Sequence, residues 1–159
     1  MTKNPTKTAL EKHANRILTE LLTTVLKTSA LRKRAGIKLP KAGRVHLSLD
    51  LELVSASVME KLNKKHRGKD KPTDVLSFPA HAVFQKTGHL GDIVICLPVL
   101  KSQAKDQKHS ATQELQVLLT HGVLHLLHFD HEKSSKHARE MAAWEKKLLK
   151  SVGLIARNG

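Results

Sequence analysis

His121-Gly122-Val123-Leu124-His125-Leu126-Leu127-His128-Phe129-Asp130-His131 holds four of the chain's eleven histidines. The first two stand four residues apart in an apolar run that reads as helix. Residues at i and i+4 share one helical face, one turn apart. Two imidazoles so placed can bind one metal ion, and a third ligand just past the helix end can close over them. Upstream, Leu115, Leu118 and Leu119 continue the same helix, and Ser110-Ala111-Thr112-Gln113 has the spacing of a capping box that opens it. The helix is apolar nearly all round, so it is expected at the centre of the core.

The spacing follows the logic of the zincin motif H-E-x-x-H and its longer metzincin form H-E-x-x-H-x-x-G-x-x-H. His121, His125 and His131 fall on the three histidines of the long form. The motif glutamate is replaced by Gly122 and the motif glycine by His128. The first change removes the usual general base of a metalloprotease. A metal site is therefore read more clearly than a protease. His128 competes with His131 as third ligand, because a helix that continued would place it on the face of His121 and His125. Three nitrogen ligands leave one position open, the pattern of a catalytic rather than a structural zinc. Two buried imidazoles on an apolar helix without partners would be costly, which weighs against a purely structural role.

Around this helix the chain alternates elements. Residues 1–7 read as a polar, mobile tail. A helix follows, with Leu10, Ala14, Ile17, Leu18, Leu21, Leu22, Val25 and Leu26 on one face and Arg32, Lys33 and Arg34 at its far end. Residues 35–43 form a loop. Val45, Leu47, Leu49, Leu51 and Leu53 alternate with polar residues as a half-buried strand. Ser55 or Ser57 caps a short helix that runs into Lys64-Lys65-His66-Arg67-Gly68-Lys69-Asp70-Lys71, read as a charged loop closed by Pro72. Residues 73–78 form a second strand and 80–90 a loop. Residues 91–96 form a strand buried on both faces. Pro98 opens a short helix to about residue 106, and the last helix spans about 135–151, stopped at Gly153. The pattern reads as one α+β domain, with α/β as the alternative: a small mixed sheet packed with helices around the histidine helix.

The formal net charge is +14 and the sequence pI about 10.1, which favours a polyanionic partner, most simply nucleic acid. Cys96 is the single cysteine, so an intrachain disulfide and a cysteine zinc site are both excluded. No signal peptide and no bilayer-spanning run is evident, so the cytoplasm is the expected compartment.

Three blocks together resemble the YbeY family, metal-dependent endoribonucleases of ribosomal RNA maturation. Residues 121–131 match H-G-x-L-H-L-x-G-Y-D-H, with His128 for glycine and Phe129 for tyrosine. Arg67, followed by Pro72-Thr73-Asp74-Val75-Leu76-Ser77-Phe78-Pro79, matches R-x-x-x-x-P-T-D-V-L-S-F-P, and Gly91-Asp92-Ile93 matches G-D-I. The resemblance covers roughly residues 44–153. It implies one zinc ion on His121, His125 and His131, and an arginine in the cleft at Arg67. It also implies cleavage of single-stranded RNA, maturation of the 3′ end of small-subunit ribosomal RNA, and a part in ribosome quality control.

The metzincin spacing and the family signature both favour His131 over His128 as third ligand. A guanidinium at Arg67 can grip a phosphate and stabilise transition-state charge. Lys64, Lys65, Lys69 and Lys71 read as general phosphate contacts, and Asp130 as either an orienting carboxylate or a turn cap. Aromatic residues are few, so binding is expected to be dominated by the RNA backbone, with the small ribosomal subunit as docking partner. The rivals are a non-catalytic ribosome-assembly factor with a structural zinc and a minimal zinc peptidase.

Overall fold

The computed structural model describes residues 5–153. In chain order the elements are α1 (Pro5–Lys27), α2 (Ser29–Arg34), β1 (Ser48–Val54), α3 (Ala56–Arg67), β2 (Val75–Pro79), α4 (Ala82–Lys86), β3 (His89–Cys96), α5 (Leu97–Asp106), α6 (Ala111–Leu126) and α7 (Ser135–Ser151). The sheet order is β1-β3-β2, with β3 parallel to β1 and antiparallel to β2. The fold is α+β.

α6 runs through the middle and packs on α1, α5, α7, β2 and β3. Leu115, Leu119, Val123, Leu124 and Leu126 are fully buried along it. Burying each such leucine is worth roughly 1.5–3 kcal/mol, so α6 is the element around which the rest condenses. Its start is fixed by the expected capping box: Gln113 N–H donates to Ser110 Oγ, and Ser110 N–H donates to Gln113 Oε1. The sheet turns Leu53, Ile93 and Ile95 into the main core with α6 and α1. Its other face carries Val54, Leu76, Val94 and Cys96 against Met59 of α3. β3 is therefore covered on both faces, as its apolar run requires.

Several expectations need correction. α1 begins at Pro5, so residues 5–7 of the expected tail are helical; residues 1–4 lie outside the described residues. The N-terminal helix breaks at Thr28, which is extended and precedes α2. β1 begins at Ser48, three residues after Val45, because the chain from 44 to 47 pairs with no strand. The segment 80–90 contains α4 and the start of β3. The charged run 64–71 is half helix: Lys64, Lys65, His66 and Arg67 form the last turn of α3, and Gly68 ends it in the left-handed conformation at φ 68°. Four good or neutral helix formers precede that glycine, and nothing breaks the helix before it.

Candidate active site

Helix spacing brings His121 and His125 together as the i, i+4 arithmetic requires, with their Nε2 atoms 3.0 Å apart. The turn after α6 then returns His131 to them. The three rings sit with centroids 4.6, 5.4 and 5.4 Å apart. One ligand nitrogen from each lies within 4.8 Å of the others, so the group can hold a metal ion. Burial, with the neighbouring His121 and His131 adding to it, lowers the pKa of His125. His125 is thus held neutral, the form that binds metal.

The return turn depends on His128. It occupies the left-handed region at φ 68°, where the family motif has glycine. Histidine reaches this region at some cost. Its ring is not directed to the other histidines: His128 Nε2–H donates to Gln85 Oε1 at 2.7 Å. Gln85 is itself buried and donates to the carbonyls of Leu90 and Leu126. His128 therefore joins the α6 terminus to α4 and the start of β3, and it is His131 that stands beside His121 and His125. Asp130 Oδ1 accepts from Glu132 N–H, so this oxygen caps the turn. Phe129 is buried beneath the Arg34 guanidinium, 3.8 Å from its ring centroid.

Gly122 has a packing reason. A Cβ there would stand 2.9 Å from Ile93 Cδ1 and 3.3 Å from Ser77 Oγ, so any side chain at 122 would force the buried Ile93 side chain to shift. Ser77 Oγ donates to the Gly122 carbonyl at 3.3 Å and fixes this approach. Position 122 faces the sheet and carries no group to the histidines.

The histidines form one wall of a 470 Å³ cleft whose other lining includes His66, Arg67, Asp74, Ser77, Phe78 and Glu132. Arg67 reaches it from the end of α3 and pairs with Glu132 across the mouth, Nη2 to Oε1 at 3.5 Å. Asn63 Nδ2 donates to the Lys71 carbonyl at 2.7 Å and ties the 68–72 turn to α3. Lys69 and Lys71 line an adjoining cleft that shares Arg67, Thr73 and Asp74 with the first. Lys64 pairs with Asp70 and Lys65 is exposed; neither lines either of these two clefts.

Sequence reasoning missed Glu145. It comes from α7, and its Oε1 accepts from His121 Nδ1–H at 2.5 Å. Nothing in the spacing of α7 distinguishes this glutamate from a solvated one, since its partner lies 24 residues away.

The sequence model of the endoribonuclease YbeY family matches residues 1–153. The chain belongs to the YbeY family. Endoribonuclease YbeY of Aquifex aeolicus is 33% identical over 142 residues, covering 89% of this chain and 95% of that one. Its counterpart in Persephonella marina is 40% identical over 114 residues, covering 67% of this chain and 74% of the relative. Among solved structures, a Thermotoga maritima protein determined in solution superposes with a TM-score of 0.55 at 26% identity, covering 95% of this chain and 85% of that one. The YbeY match extends upstream of residue 44 to take in α1 and α2, which the motifs alone left out.

Proposed function

We propose that this chain is a zinc-dependent endoribonuclease that cuts single-stranded ribosomal RNA in maturing the 3′ end of the small-subunit RNA and in ribosome quality control. Residues 1–159 act as one domain, in the cytoplasm, with the small ribosomal subunit as docking partner. The observation that carries the reading is the convergence of His121, His125 and His131 in one cleft with Arg67 at its mouth. Membership of a family whose relatives are named endoribonucleases supports it. Among the described residues no helix is long and apolar enough to cross a membrane.

The donor set fits zinc: three imidazoles, one held neutral by burial and one with Nδ1–H bound to a carboxylate. Zinc held there supplies a Lewis acid for a phosphoryl oxygen and a source of hydroxide near neutral pH. Arg67 grips the phosphate at the cut and stabilises the charge that develops on it. To do so it exchanges Glu132, an exposed and therefore weak partner, for the phosphate. Lys69 and Lys71 continue the cationic track beside the cleft, and Lys64 and Lys65 add to the field farther out. The open cleft admits a single strand, and Phe78, with His66 edge-on to it at 4.8 Å, offers a small stacking surface.

A peptidase is the weaker reading, because Gly122 supplies no general base and a side chain there would press on Ile93. The test compares chelator-treated and zinc-restored protein on single-stranded RNA, double-stranded RNA and casein. Zinc-restored cutting confined to the single strand is expected. Turnover of casein would favour the peptidase, and tight RNA binding with no zinc-dependent turnover would favour an assembly factor with a structural metal.

A further inference from the structure

We infer that Glu145 is the positioning residue of the metal centre: its carboxylate fixes the tautomer and the aim of His121. The inference rests on the proposed metal reading and concerns a residue outside the three ligands. An ionised carboxylate only accepts hydrogen bonds, so the 2.5 Å contact assigns the proton of His121 to Nδ1. The lone pair of the neutral ring then lies on Nε2, the nitrogen that stands 3.0 Å from His125 Nε2. Without Glu145 the ring is free to take the other tautomer and to rotate about its χ angles. Each alternative removes the donor nitrogen from the shared point.

The surroundings favour this role over a simple helix-to-helix tie. His121 spans two clefts. It lines the cleft with Arg67, where its Nε2 meets His125, and a second cleft of 440 Å³ that Asp74 and Glu145, the partner of its Nδ1, also line. The pair is neither sealed in the core nor fully in water; the side chains are 30% and 31% exposed. Glu114, the buried carboxylate on this second cleft, is already engaged with His109 at 2.5 Å. Asp74 is held by Val75 N–H and by Gln103. Glu145 is thus the carboxylate of this wall that serves His121. α7 supplies it by carrying Met141 and Leu148 into the core on the same side.

The test is a zinc titration of metal-depleted protein in competition with a chromophoric chelator, for wild type, His121→Ala, Glu145→Ala and Glu145→Gln. Removing such a supporting carboxylate is expected to weaken metal binding about 10–100-fold. Glu145→Gln keeps an acceptor for Nδ1–H without the charge, so it should fall between wild type and Glu145→Ala. The visible absorption band of the cobalt-loaded protein should differ between wild type and Glu145→Gln, a change that a packing role would not produce. Far-UV circular dichroism of the metal-free variants reports whether they are folded at the titration temperature. Zinc affinity within twofold of wild type in Glu145→Ala overturns the inference, as does an identical cobalt spectrum in Glu145→Gln. A loss that follows unfolding of metal-free Glu145→Ala, with Glu145→Gln unchanged, also overturns it. If wild type binds no stoichiometric zinc, or His121→Ala binds as wild type does, the metal reading fails as well. If only Glu145→Ala behaves as wild type, the positioning role alone fails.

Discussion

At His128 the backbone sits at φ 68° while the ring donates to Gln85, so strain and hydrogen bond oppose each other at one residue. Glycine would remove the strain and the bond together; alanine would keep the strain and lose the bond. We therefore expect His128→Ala to be less stable than His128→Gly by about 1 kcal/mol, measured by urea unfolding of the metal-free proteins. Equal stabilities would mean that the left-handed conformation is not held at this position. His125 carries a pH signature. Its pKa in the fold lies below the ordinary value, so as pH falls the unfolded chain takes the proton first. The metal-free protein should lose stability as pH drops below about 6.5 through the lower folded value, and His125→Asn should flatten that decline. The clustering of His121 with His125 was legible because helical spacing is a rule of geometry. Glu145 was not, because a contact between two helices far apart in sequence follows no local rule.

At the scale of elements, the close approach of α6 to the sheet decides what position 122 can hold. Restoring the zincin glutamate as Gly122→Glu would drive a long polar side chain against Ile93 and Ser77. Overpacking plus an unsatisfied buried carboxylate should cost upwards of about 3 kcal/mol, read as a lowered Tm with no gain of peptidase activity. A stable variant that cleaves peptides would show that the helix can lift from the sheet. The capping box of α6 and the strands over 48–54, 75–79 and 89–96 were readable because their signals are local: a serine three residues before a glutamine, and runs of β-branched or alternating apolar residues. The last turn of α3 does not stand out in the sequence because the charge density of Lys64-Lys65-His66-Arg67 looks the same in a solvated loop and on an exposed helix end. Lysine and arginine are good helix formers, and the stop signal is Gly68. α4 was missed since a helix of five residues, Ala82–Lys86, has no periodicity to detect.

For the whole molecule, the excess of 28 Lys and Arg over 14 Asp and Glu sets the field in which an RNA strand approaches. If Arg67, Lys69 and Lys71 each neutralise one phosphate, log Kobs should fall with log salt at a slope of about −2 for a single strand. Lys69→Ala with Lys71→Ala should reduce that slope, and a slope near zero would remove the electrostatic account of binding. Net charge made a polyanionic partner legible at once, while the ion pair of Arg67 with Glu132 at the cleft mouth required the fold. The central claim is that one cleft holds both the metal-binding histidines and the phosphate-gripping arginine. Its most direct test is single-turnover cleavage of a single-stranded ribosomal RNA fragment by wild type, His121→Ala and Arg67→Ala, each purified free of contaminating nuclease and restored with zinc. The expected result is cleavage by wild type, none by His121→Ala, and a rate lowered about 10²–10³-fold in Arg67→Ala with its zinc content unchanged. Equal cleavage by all three proteins would contradict the claim.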